Sequence, residues 1–209
     1  MKSLIVGIDP DLSNMSAAIM DPTGAVYVIF DRVEDPKGCK GTTALKLARA
    51  TETIRKIVNV VVEWAVRPEA IVLYLEDQST AHAKREQKIN IQDLVTLSHI
   101  SGIWSGMFSA LLWLPHSNIH LITASVWKQQ QTKWINQRRT LDSLKISYVK
   151  MGGKKPYPAP VSIDDLKGML NYSLTTPNPG DFLDINDSLG IMLYGWKQEM
   201  KHETTTARS

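Results

Sequence analysis

Two short runs of branched apolar residues, at 4–8 and 71–75, each stop on a carboxylate, Asp9 and Glu76. Runs this short, with no polar alternation, read as strands buried on both faces, and both faces must then be covered. The rest of the chain supplies the cover. Residues 15–20 and 25–30 are two further strands. The tight-turn sequence Asp21-Pro22-Thr23-Gly24 between them makes them antiparallel neighbours. Over 42–66 the apolar period lengthens: Leu45, Ala48, Ile54, Ile57, Val58, Val61 and Ala65 recur at helical spacing, and Pro68 closes the helix. A second long helix is predicted over 87–113, a strand over 118–122, and one or two amphipathic helical pieces over 123–145. A last helix covers 184–197. Three strands, helix, strand, helix, strand, helix predict an α/β fold, a mixed five-stranded sheet flanked by helices.

The length of 209 residues suits one domain, here 1–198. Segment 151–180 breaks the pattern with five prolines and four glycines and reads as an insertion or loop, with one short helix near 163–170. Residues 199–209 read as a polar tail, disordered from Lys201 onward. Apolar residues at 43% and charged residues at 22% exclude disordered and fibrous classes. No continuous apolar run reads as long enough to cross a bilayer, and Asp9 interrupts the opening before it can act as a signal segment. With Cys39 as the single cysteine, internal disulfides and a cysteine-built zinc site are excluded, which suits a reducing, cytoplasmic setting.

Net charge is only +3, yet Lys128, Lys133, Arg138, Arg139, Lys145, Lys150, Lys154 and Lys155 face a single acid, Asp142, over 128–155. Such a cluster is a solvated surface or a phosphate-binding face.

Asp9 and Glu76 end buried strands, at the sheet rim where ligands of open α/β sheets bind. Asp184 and Asp187 are three apart in the first turn of the last helix and share a face. Each alone has a plain structural reading, as turn residue, helix cap or solvated rim group. Together they are a set of hard oxygen donors that would repel one another without a cation, which suits magnesium.

Gly7-Ile8-Asp9-Pro10, then Tyr74-Leu75-Glu76-Asp77-Gln78, then Leu183-Asp184-Ile185-Asn186-Asp187-Ser188-Leu189 resemble, in that order, the acidic motifs of RuvC-type Holliday junction resolvases of the RNase H-like superfamily. The order of strands and helices agrees from the N-terminus to about Lys197. The resemblance implies a nuclease in which Asp9, Glu76, Asp184 and Asp187 bind two Mg2+ or Mn2+ ions per active site. A metal-activated water then attacks a phosphodiester of branched DNA. It also implies a catalytic role for Lys128 at the scissile phosphate and a homodimer making two symmetric cuts. The predicted helix residues 94–113 are apolar enough to serve as the interface.

Lys133, Arg138 and Arg139 are candidate backbone-phosphate contacts, as are Lys84, Arg85 and Lys88 behind Glu76. The stretch Asp77-Gln78-Ser79-Thr80-Ala81-His82 departs from the family in lacking an aromatic residue. Activity is therefore expected to extend to Y-forks and flaps. A virus-encoded branch of the family, acting on the nucleoid or at viral replication sites, fits this divergence. Trp64, Trp104 and Trp113 read as core or dimer interface, Trp127 as core, and Trp134 as a candidate for stacking.

The alternatives are a junction-binding protein that no longer cuts and a generic RNase H-like nuclease. An actin-like ATPase or sugar kinase would also carry Gly7-Ile8-Asp9-Pro10-Asp11-Leu12-Ser13 as a phosphate-binding opening. It would need a second such domain.

Overall fold

Strand β1 (Leu4–Asp9) sits at the centre of the sheet because its side chains are buried on both faces. It pairs antiparallel with β2 (Asn14–Met20), which pairs antiparallel with β3 (Val26–Arg32). On its other side it runs parallel to β4 (Ile71–Glu76), and β4 parallel to β5 (Ile119–Ile122). In this computed structural model, residues 3–11, 13–33, 43–64, 71–77, 91–129, 131–151, 157–160, 172–173 and 181–206 are described. The helices are α1 (Thr43–Trp64), α2 (Ile91–Leu112), α3 (Ala124–Trp127), α4 (Lys133–Ser143) and α5 (Phe182–Thr206). A short hairpin pairs β6 (Tyr148–Met151) with β7 (Tyr157–Pro160). The mixed sheet with flanking helices is thus the predicted fold. A sixth strand of two residues, β8 (Tyr172–Ser173), is added parallel to β3 at one edge.

Period-2 alternation divides the core into two layers. Leu4, Val6 and Ile8, with Leu73 and Leu75, pack under Ile54, Ile57 and Val61 of α1 and Trp104 and Phe108 of α2. The opposite parity, Ile5 with Val72 and Tyr74, packs under Ile185, Leu189 and Met192 of α5 and under Trp127 and Leu141. Each such buried side chain contributes roughly 1.5–3 kcal/mol. Either helical layer therefore outweighs the roughly 5–15 kcal/mol of net stability a domain retains, and neither is dispensable.

Three expectations change. Segment 151–180, read as an insertion or loop, contributes β7, β8 and the end of β6; the short helix expected near 163–170 lies outside the described residues. The tail read as disordered is helical as far as Thr206. Thr204 and Thr205 hydroxyls donate to the carbonyls of Met200 and Lys201 at 2.8 and 3.0 Å, and Glu199 accepts from Tyr74 Oη at 2.8 Å. A solvated helix needs no apolar face once its backbone is nucleated by a packed segment. Finally, Val95–Leu112 is long and apolar enough by length and composition to cross a membrane, with a mean hydropathy of 1.2. Serines and glycines interrupt the continuous run without lowering its average enough. In the fold, Ile100, Trp104, Phe108 and Leu112 of this helix are buried in the layer shared with α1.

Candidate active site

The alternation that builds the core also aims the carboxylates. Asp9 has the parity of Ile5, and Glu76 that of Val72 and Tyr74, so both belong to the face covered by α5. Parallel pairing of Ile8 with Leu75 brings the next residues, Asp9 and Glu76, side by side at the ends of their strands. α5 reaches this rim because Gly7 lets it lie on β1. A Cβ at Gly7 would press into the Met192 backbone and stand 2.7 Å from the Ser188 carbonyl oxygen. Arg32, at the end of β3, forms an ion pair with Asp181, the residue before α5, and so fixes where that helix begins. Asp184 and Asp187 then share the face of its first turns.

The acids are held by a hydrogen-bonded frame. Trp127 Nε1 donates to Glu76 Oε2 at 2.7 Å, and Gln137 Nε2 to Asp187 Oδ1 at 3.0 Å. Asn14 Nδ2 donates to Asp184 Oδ2 at 3.1 Å. Ser188 Oγ accepts from the Asp9 amide at 3.2 Å and lies 2.6 Å from Ser16 Oγ, stitching α5 to β1 and β2. Two ammonium groups enter from α3 and α4. Lys128 Nζ is 3.8 Å from Glu76 and 3.7 Å from Asp187, and 4.4 Å from the centre of the Trp127 ring. Lys133 Nζ is 2.8 Å from Asp187 Oδ2. Thr132 caps α4 by accepting from the Ile135 amide, which puts Lys133 at the first helical position.

Four carboxylates against two ammonium groups leave the site short of positive charge, and the acids register it. Burial, then repulsion from Asp187 and Glu76, pushes the Asp9 carboxyl well above its usual range, against the pull of Lys128 and Lys133. Burial raises Glu76, partly offset by Lys128 and the Trp127 hydrogen bond. Burial, then Asp11, pushes Asp184 up to about 6. Burial would lower Lys133, but the Asp187 carboxylate beside it outweighs this and raises it.

The structure therefore brings together Asp9, Glu76, Asp184, Asp187, Lys128 and Lys133. Arg138 and Arg139 stand exposed on α4, while Lys84, Arg85 and Lys88 lie outside the described residues. Trp134 is half-buried, with Lys150 Nζ 5.8 Å from its ring centre. Asn14, Ser16, Trp127, Gln137 and Ser188 are contributors that sequence reasoning missed. Only Ser188, one residue beyond Asp187, carried a positional signal. Among the described residues, no three His, Cys, Asp or Glu side chains form a group that could hold a metal ion as placed. The cations facing the carboxylates are Lys128 and Lys133.

No protein-family model matches the sequence, and no curated protein matches it significantly. Solved structures similar to this chain include Thermus thermophilus RuvC in complex with a Holliday junction substrate, at 14% identity and a TM-score of 0.44, covering 91% of each chain. The yeast mitochondrial Holliday junction resolvase is similar at 10% identity and a TM-score of 0.46, over 99% of this chain and 86% of that one. An Aquifex aeolicus member of the Ppx/GppA family is similar at 12% identity and a TM-score of 0.35, over 79% of this chain and 53% of that one. These likenesses concern the fold and carry nothing about chemistry.

Proposed function

We propose that this chain is a structure-selective endonuclease that hydrolyses phosphodiesters of branched DNA, four-way junctions together with Y-forks and flaps, using Mg2+ or Mn2+. One observation carries the reading: three elements distant in sequence deliver Asp9, Glu76, Asp184 and Asp187 to one rim of the sheet, where two lysines do not balance their charge. The three acidic motifs that resemble the RuvC type are the segments that meet there, and this supports branched DNA as the substrate.

In donor type the residues fit a pair of hard divalent cations, since all are carboxylates and their mutual repulsion calls for positive charge. As placed, the described acids do not close around an ion, and Lys133 stands on Asp187. When bound, such ions would activate water and stabilise the leaving 3′-oxygen. The remaining roles belong to the chain. Lys128, between Glu76 and Asp187, is placed to hold a non-bridging oxygen of the scissile phosphate and to stabilise charge developing there. Trp127 and Gln137 each hold one oxygen of Glu76 and of Asp187, which limits how far these acids must move to meet a cation.

Two symmetric cuts require two related sites, and an isologous dimer supplies them. α2 and the residue that follows it offer the surface: Val95, Leu111 and Trp113 are exposed, Trp113 by 86%.

The test is cleavage of labelled four-way, Y-shaped and linear duplex DNA in magnesium and in manganese, wild type against Asp187→Asn. Cutting of branched DNA alone, abolished by the substitution, is the expected result. Tight junction binding with no cutting in either metal would favour a protein that binds junctions without resolving them.

A further inference from the structure

Against Trp127 lies a cavity of about 90 Å³ lined by residues of α3, α4, α5 and the α3–α4 loop. We propose that it is a second subsite, distinct from the acidic cluster, that seats one phosphate group. Its walls include Trp127, Asn136, Arg139, Thr140, Ser143, Tyr194 and Lys197, and no acidic residue lines it. Arg139 and Lys197 provide two cations from different helices. Asn136 Nδ2 is buried and has no hydrogen-bond partner among the described residues. A buried donor left unpaired is costly, and a bound acceptor would relieve that cost.

Size narrows the ligand. The volume is about three times the roughly 30 Å³ a water takes in the liquid, and well below the roughly 300 Å³ where pockets for whole small molecules begin. A space of this size seats a tetrahedral oxyanion. Cations, a free amide donor and hydroxyls, with no carboxylate, are the groups that recognise phosphate oxygens.

The source of the phosphate follows from position. Gly190 to Lys197 lie roughly 5–15 Å along α5 from Asp187 at 1.5 Å per residue. That is about one to four nucleotides of axial rise along a strand. A strand cut at the acidic cluster can therefore place a neighbouring backbone phosphate here. This assignment to DNA rests on the nuclease reading, whereas affinity for phosphate does not. The loop between the two sites serves both. Gln129, held at φ 50°, turns the chain so that Lys128 meets the acids while Gln129 and Gln131 line the cavity. Trp127 is the shared wall, one edge on the cavity and its N–H on Glu76.

The experiment is NMR titration of the full chain without divalent cations, following the Trp127 indole and Asn136 side-chain amide signals. Inorganic phosphate and a thymidine dinucleotide with one phosphodiester are the two probes. Saturable shifts of both signals, weakened about tenfold or more in Arg139→Glu and in Lys197→Glu, are expected; both positions are exposed, so these variants fold. A response to the dinucleotide, with the salt dependence of junction binding lowered by about one unit of slope in Lys197→Glu, assigns the site to DNA. A response to inorganic phosphate alone supports the anion site and assigns it to free phosphate. Absence of saturable shifts with either probe, or shifts that survive both charge reversals, overturns the proposal. Neither readout requires cutting, so its failure and that of the nuclease reading are separable.

Discussion

The indole N–H of Trp127 donates to Glu76 Oε2 at 2.7 Å, while Lys128, the next residue, carries its ammonium to the same carboxylate oxygen at 3.8 Å. The last residue of α3 and the one that follows it thus hold an acid from a strand that lies 51 positions earlier. Trp127→Phe keeps an aromatic ring in the core, though a smaller one, and removes the donor. Glu76 then rises further, because the hydrogen bond that opposed its burial is gone. Cleavage is expected to fall about 10–100-fold, the range typical of lost partners to ligating carboxylates. The acid limb of the pH–rate profile should move to higher pH, with the deficit smallest at alkaline pH. A uniform loss at every pH would mean that the indole only packs.

Gly7 determines whether α5 can lie on the sheet. Gly7→Ala places a methyl against the Met192 backbone and the Ser188 carbonyl, where no side chain can rotate away. The helix must shift, and overpacking of this kind costs about 1–3 kcal/mol or more. Asp184 and Asp187 would move with it, away from Asp9. The expected outcome is a folded protein with a lower urea midpoint, an unchanged m-value and no cleavage. Wild-type cleavage in a destabilised variant would show that the acids tolerate the shift.

The fold was legible because the strands that end on Asp9 and Glu76 are short apolar runs and α1 keeps its helical period. The carboxylates were legible for the same reason: each marks the end of a run, at 9 and 76, or the start of a helical pattern, at 184 and 187. The frame around them was not. Trp127 and Gln137 sit at positions that packing alone explains, and their partners lie 51 and 50 residues away, a relationship that no local pattern encodes. The lysines were found, but not their carboxylate partners. Lys133 was read as a phosphate contact, and only three-dimensional placement puts its ammonium on Asp187. Segment 151–180 misled through its prolines, which are compatible with short edge strands.

Asp184 supplies a pH signature. Its carboxyl is pushed up to about 6 from the ordinary 3.8, by burial first and then by Asp11. The folded state therefore favours the neutral acid. This stabilisation is fully present below about pH 4 and is lost as pH rises through 6, an effect of about 3 kcal/mol for a two-unit shift. Asp184→Asn has no charge to bury. Without divalent cations, its urea stability relative to wild type should rise between pH 4 and pH 7.5 by up to about that amount. A difference that stays constant between the two pH values would show that Asp184 ionises normally in the fold.

Lys133 and a divalent cation should compete for Asp187. The ammonium is 2.8 Å from Oδ2 of a carboxylate only 3% exposed, yet the lysine side chain itself is 51% exposed and free to swing outward. A cation that uses Asp187 must displace it. A half-exposed ion pair is worth about 1 kcal/mol or less, so Lys133→Met should bind calcium up to about fivefold more tightly. The gain is read as a larger calcium-induced rise in Tm than in wild type. Cleavage should nevertheless fall, because the variant lacks a cation that can turn to the DNA backbone once displaced. Weaker calcium binding in Lys133→Met would instead mean that the ammonium helps to assemble the acids rather than occupying their place.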